Sequence, residues 1–214
     1  MKGLLIKDLY AISNFKRQYG LILLFMSAWC LFTRSFSFLA MYCILMSGML
    51  VLSVISLDEA VHFDRYALTM PISVETLIKE KYVLTCICIG VGTLLAALIE
   101  GGAMLIAWHE GVEEWIVIAT ISTFFLLAYT ISLPIVFKYG VEKARYSYIV
   151  VMLVMAGVIL GGVYLTKNTP VMILDSVPTV LSCLIFVGIL LIVDVVVVSV
   201  SYRISVRVVR GKEW

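Results

Sequence analysis

Charge is what this sequence has least of. In 214 residues there are 16 Lys and Arg and 14 Asp and Glu, 14% together, while 63% of residues are apolar. Soluble domains run near 45–50% apolar and about 25% charged, so a water-soluble globule is excluded. Histidine is nearly absent: the two residues, His62 and His109, fall on opposite sides of the topology derived below and cannot share a metal. No His-Glu-x-x-His stretch occurs, and the Glu113-Glu114 pair has no arginine within the following helical turns, so hydrolytic metal chemistry has no foothold. No Gly-x-x-x-x-Gly-Lys-Ser/Thr stretch occurs either. The glycines at Gly90 and Gly92 lie in an apolar run without a following lysine, so this chain is not expected to be an ATPase by itself. The cysteines Cys30, Cys43, Cys86, Cys88 and Cys183 all sit inside apolar runs without ligand-like spacing, which suits helix packing rather than metal or disulfide chemistry.

What is abundant is long uncharged runs. Mean hydropathy is +1.10, and a spanning helix needs roughly 20 apolar residues. Six spans are expected, at 20–34, 36–57, 82–108, 115–137, 147–165 and 177–202, in an all-α integral membrane domain that covers residues 1–214. The first is short and relies on a snorkelling Arg34. Tyr82, Trp108, Trp115 and Tyr202 lie at span ends, where interfacial aromatics belong. With the N-terminus inside, fourteen Lys and Arg fall on cytoplasmic segments and two, Arg34 and Lys167, on external turns. That bias places both termini in the cytoplasm. The external turns are too small to catch a ligand, so function is expected in the bundle or in a partner.

Residues 1–19 carry Leu5, Leu9, Ile12 and Phe15 at helical spacing, with Lys2, Asp8, Lys16 and Arg17 elsewhere. This predicts an amphipathic helix on the inner leaflet. Gly157-x-x-x-Gly161, followed by Gly162, predicts close helix approach in the fifth span, and Pro134 a kink in the fourth. Two acids interrupt spans, where a carboxylate costs about 2.5–3.5 kcal/mol. Glu100 precedes Gly101-Gly102, which could break the helix and turn the carboxylate toward an external vestibule; a protonated glutamate bonded to a neighbouring helix is the alternative. Asp194 fits a polar link within the bundle or a substrate role. Together the two would suit a stand-alone proton-coupled transporter.

The remaining feature is "DEAVHFDRYALTMPISVETLIKEKY", residues 58 to 82, a charged cytoplasmic island between the second and third spans. Phe63, Tyr66, Ala67 and Met70 share i, i+3, i+4 and i+7 spacing, which predicts a short amphipathic helix that Pro71 ends. Ser73 can cap the next helix, with Glu75 in its first turn and a Glu75–Lys79 pair at i, i+4.

"FDRYALTMPIS…KEKY" resembles the first intracellular loop of ABC transporter permeases of the type-2 exporter superfamily. Most similar are the small six-helix permeases paired with a separate ATPase, including exporters of amphipathic peptide toxins (phenol-soluble modulins) in Gram-positive bacteria. The resemblance implies a multi-pass permease in a bacterial cell membrane. It implies a coupling helix within 58–81 that docks on the ATP-binding subunit through Phe63, Asp64, Arg65, Tyr66, Ala67, Leu68 and Pro71. It further implies a second permease chain, no cofactor on this chain, and ATP with Mg on the partner. An amphipathic peptide or other hydrophobic cargo would be exported. A membrane scaffold or immunity protein that binds a peptide without moving it is a further alternative.

Overall fold

Only four prolines punctuate the chain, so little in the sequence breaks a helix once it has started. A computed structural model describes residues 2–33, 36–63, 66–67, 73–105, 113–168 and 179–211. Among these residues there are six long helices and no strand: α1 (Lys2–Thr33), α2 (Phe36–Ala60), α3 (Val74–Leu105), α4 (Glu113–Tyr139), α5 (Val141–Asn168) and α6 (Thr179–Arg210). Four of them are long and apolar enough to cross a membrane, over Phe36–Ala60, Val74–Met104, Glu114–Tyr139 and Ile185–Arg210. At 32 residues, α3 and α6, two of these four, are each ~48 Å long. The hydrocarbon core is only ~30 Å thick, so such helices must project charged ends beyond it.

That projection explains where the helix ends differ from the expected spans. Apolar runs stop at the first charge, whereas the helices continue through charged turns. Thus α3 begins at Val74 rather than Tyr82, α5 begins at Val141 rather than Ser147, and α6 runs on to Arg210. At the N-terminus α1 is one uninterrupted helix through Gly20, where an interfacial helix and a separate span were expected. One further expectation fails on geometry. α3 continues through Gly101 and Gly102 to Leu105 without the break proposed at Glu100. Among the described residues nothing lies within 4 Å of where a side chain on Gly157 would be, and the surroundings of Gly161 and Gly162 lie outside the described residues.

Close approach occurs on α2. A methyl group at Gly48 would enter the Tyr129 ring of α4, and one at Gly92 of α3 would collide with Ser47. Among lipid tails no hydrophobic gain favours one helix surface over another, so such contacts are what hold helices together. α2 is accordingly the inner helix, packed against α1, α3, α4 and α5, while α4 and α3 also carry α6. Its buried residues, among them Ala40, Ile44, Val51 and Ile55, join Ile78, Leu84, Ala96, Ala128 and Tyr129 in one core. Tyr129 lies between Phe125 and Tyr148, with ring centroids at 6.5 and 4.8 Å.

The core is closed by polar links that only long helices could reach. The Tyr82 hydroxyl meets those of Ser201 and Ser205 at 2.7 and 2.8 Å, and Ser201 donates to the Thr130 carbonyl at 2.6 Å, joining α3, α6 and α4. At the α4–α5 corner, Gly140 sits at φ +86° and its N–H donates to the Val136 carbonyl, the left-handed stop that glycine favours. Glu59, near the end of α2, then accepts the Val141 N–H at 2.7 Å and caps α5.

Candidate functional site: a charged clasp at one end of the bundle

The start of α1, the end of α2, the start of α3, the α4–α5 corner and the end of α6 meet at one end of the bundle. Most of the chain's charge is there. Ser73 caps α3: its hydroxyl accepts the Thr76 N–H, and its carbonyl accepts from Thr76 and Leu77. Glu75 pairs with Arg210 at the end of α6, rather than forming the expected bond to Lys79.

Six residues on from Glu75, on the inward face of α3, Lys81 is almost wholly buried. Its ammonium donates to Asp8 of α1 at 2.5 Å and to Asp58 of α2 at 2.6 Å. Lys7 completes the ring, 2.9 Å from the other oxygen of Asp8 and 2.7 Å from that of Asp58. Glu80, also buried, lies 3.5 Å from the Lys81 ammonium and in hydrogen-bond contact with Asp8. Three helices are therefore held by two cations and three carboxyls.

Charge balance decides the protonation. Two ammoniums neutralise two carboxylates, so the third acid is stable only as the neutral acid. Residues 74–81 are the charged foot of α3, ahead of the uncharged run from Tyr82. There burial, reinforced by the hydrogen bond to Asp8 and opposed by Lys81, pushes Glu80 up to about 8. Burial alone would raise Asp8 as well, but the Glu80 proton and the two lysines hold it below its ordinary value. Burial would lower Lys81, but Glu80, Asp58 and Asp8 together raise it. Among the described residues Glu80 Oε1 has no other partner, and a proton shared with the Asp8 carboxyl satisfies it.

The clasp reaches the island. The Lys7 ammonium lies 3.6 Å over the Phe63 ring, a cation–π contact that ties a residue three positions past the α2 end to α1. Phe63 in turn contacts Tyr66, with ring centroids at 6.3 Å. Ala67 is buried at 2% exposure whereas Tyr66 is 58% exposed, so these two residues of the expected apolar stripe face opposite ways. Asp64, Arg65, Leu68, Met70 and Pro71 lie outside the described residues.

The α1 face also differs from its expected one. Leu5 and Ile12 pack on the core, but Leu9 is outward, and the inward position between them belongs to Asp8. The sequence places Asp8 off the apolar stripe of an amphipathic helix and Asp58 and Lys81 in the charged island, with nothing to pair them. Their signal was the placement of isolated charges next to apolar runs on three segments, which sequence spacing alone does not pair.

The two intramembrane acids lie apart from the clasp and from each other. Glu100 is buried at 2% exposure beside a cavity between α2, α3 and α4, and neither of its carboxyl oxygens has a hydrogen-bond partner. Asp194 is buried at 3%, and among the described residues neither of its oxygens has a hydrogen-bond partner. It lies within electrostatic reach of Cys86, which is 14 residues before Glu100 on α3, or ~21 Å along the helix. One proton relay through both would have to bridge that gap. Alongside, α3 and α6 frame an open apolar groove of about 520 Å³, bordered by Tyr82, Cys86, Ile87, Val198 and Tyr202 with Lys79 at its charged end.

Among known proteins, the model of the ABC-2 family transporter protein matches residues 3–210, nearly the whole chain. The chain belongs to that family. No curated protein and no solved structure matches it.

Proposed function

We propose that this ABC-2 family chain is the membrane-spanning permease of an ATP-driven exporter, powered by a separate ATP-binding subunit that acts on the segment Phe63 to Pro71. The family assignment makes the chain a membrane transport component. The finer reading has six crossings with both termini in the cytoplasm, which puts the charged end of the bundle on the side where ATP is hydrolysed. A second permease chain completes the transporter, and ATP with Mg belongs to the partner. The cargo is an amphipathic or hydrophobic molecule such as a peptide, for which the apolar groove between α3 and α6, with its lysine at one end, is suited.

The observation that carries this reading is the contact of Phe63 with Lys7. A short segment pushed from the cytoplasmic side would need a stiff connection to the spans. Here Phe63 is tied through Lys7 to Asp8 and Asp58, and through these to Lys81, on the three helices that would have to move. Because buried ion pairs are costly to break singly, the foot of the bundle moves as one body. A proton-coupled transporter using Glu100 and Asp194 together would have to bridge the ~21 Å along α3 between Cys86, near Asp194, and Glu100.

The test is whether the chain co-purifies with a P-loop ATPase from its host membrane, followed by ATPase assays in proteoliposomes. Arg65→Glu, or Ala67→Gln at the buried position, should leave the permease folded and abolish its stimulation of ATP hydrolysis. Unchanged stimulation by both variants would remove the coupling role from this segment. Transport by the purified chain without any ATPase would favour the proton-coupled alternative.

A further inference from the structure

The Glu100 cavity is separate from the clasp and from the apolar groove. It measures about 110 Å³ and is walled by Ser37 and Met41 of α2 and by Ile118 and Ile121 of α4, with the carboxyls of Glu100 and Glu114 in its lining. Glu114 has contacts of its own, but Glu100 does not: both oxygens are buried and unbonded. A carboxyl in that position is expensive unless something fills it.

Three partners could. A proton neutralises the charge, but the O–H could turn only to the Ser37 hydroxyl or the Glu114 carboxyl in the lining, and among the described residues the other Glu100 oxygen would still have no donor. A hard divalent cation requires about six to eight oxygens, and the cavity offers two carboxyls and one hydroxyl on otherwise aliphatic walls. A primary ammonium on an alkyl stem fits both halves. Its three N–H donors answer the carboxylate oxygens and the Ser37 hydroxyl, and its methylenes lie against Met41, Ile118 and Ile121. The volume equals that of about three or four waters, room for roughly four or five heavy atoms of such a group.

We infer that this cavity is a binding site for a primary alkylammonium group, with Glu100 as its counter-ion and Glu114 as a second acceptor. The purpose of such a site, recognition of a cationic cargo, rests on the transport reading above, but its existence does not. The chemistry has two sources, a free alkylamine or the side chain of a lysine in a peptide.

The experiment uses the full chain in nanodiscs without an ATPase, at fixed pH and ionic strength, with n-butylammonium chloride as probe. Thermal stabilisation should rise saturably with butylammonium and should be absent with n-butanol, which has the stem without the charge, and with sodium chloride. Glu100→Gln should weaken the apparent affinity at least about thirtyfold, as expected for removing one side of a buried charge pair. Glu114→Gln should weaken it less. N-acetyl-lysine methylamide then separates the sources: binding equal to butylammonium assigns the site to a lysine side chain, and binding of the free amine alone assigns it to a small amine.

Equal stabilisation by butanol or sodium chloride, or no saturable response to butylammonium, overturns the proposal. So does full retention of affinity in a folded Glu100→Gln. Should Glu100→Gln fail to fold, the charge selectivity of the wild type and the loss in Glu114→Gln decide. Loss of ATPase association, by contrast, would count against the permease reading and leave this site untouched.

Discussion

Replacing Lys81 by methionine keeps most of the stem and removes one charge from the clasp. Lys81 is the only cation bonded to both Asp8 and Asp58 from α3, and its side chain is 6% exposed. Its removal leaves Lys7 alone against two carboxylates, and Lys7 is one-third exposed and better screened. Breaking a buried pair by removing one partner costs roughly 3–5 kcal/mol, because the other charge remains uncompensated. The same magnitude is therefore expected for Lys81→Met, measured as the loss of unfolding free energy in mixed micelles at pH 7. The deficit should depend on pH. Without Lys81, one of the two carboxylates would have its folded-state pKa raised, and a raised acid loses stability as pH increases through that value. Lys81→Met should therefore be close to wild type near pH 5 and fall progressively behind toward pH 8. Pairing it with Asp58→Asn should restore much of the loss, because the clasp then again holds one cation, one anion and a neutral acid. Additive losses in the double variant, or a deficit that does not change with pH, would refute the charge-balance account.

Glu80→Gln isolates the shared proton. The wild-type acid is raised from 4.5 to about 8, so it contributes stability that is complete below pH 4.5 and is lost as pH rises through about 8. The glutamine variant should flatten the dependence of melting temperature on pH between these limits and should exceed the wild type at pH 9; a slope unchanged from wild type would assign it to another group. At the α4–α5 corner, Gly140→Ala should cost about 1–2 kcal/mol from its positive φ, and about 1 more if Glu59 is driven off the Val141 N–H it caps. Combining it with Glu59→Ala should cost less than the sum of the two singles in the same unfolding assay, since the Glu59 carboxylate is what an alanine methyl would meet.

The helical class and the position of the long apolar elements were legible because bilayer thickness imposes a run length that survives in any reading of the sequence. α2 and α4 begin within two residues of their expected starts. Helix ends were legible only where a charge and a helix stop coincide. Gly140 is such a stop, but at Val74 and Arg210 the helix carries its charges beyond the apolar run, and only capping and cross-helix partners set the limit. Glycine contacts were less legible for a related reason. The Gly157 pattern has the spacing of a packing motif, yet close approach depends on what faces the glycine, and it is Gly48 that faces a tyrosine ring.

The clasp was not legible, and the reason is physical rather than statistical. Asp8, Asp58 and Lys81 are separated by 50 and 23 residues, and each is ordinary as a flanking charge on its own segment. What turns them into one site is that α1, α2 and α3 pack together at the same end and bury all three side chains between them. Once they do, an unequal number of cations and acids cannot all remain ionised. The neighbours Glu80 and Lys81 then take opposite roles, one holding a proton and the other bridging two helices. The charged island therefore serves two ends. Its flanks, through Asp58, Glu59, Glu75, Glu80 and Lys81, lock helix termini to one another, and Phe63, three residues past α2, is fastened to that lock by Lys7. A force applied to Phe63 would be met first by an ion network and only then by the apolar packing of the spans. A single neutral substitution in that network, away from the segment itself, should therefore loosen coupling without altering the surface that a partner would touch.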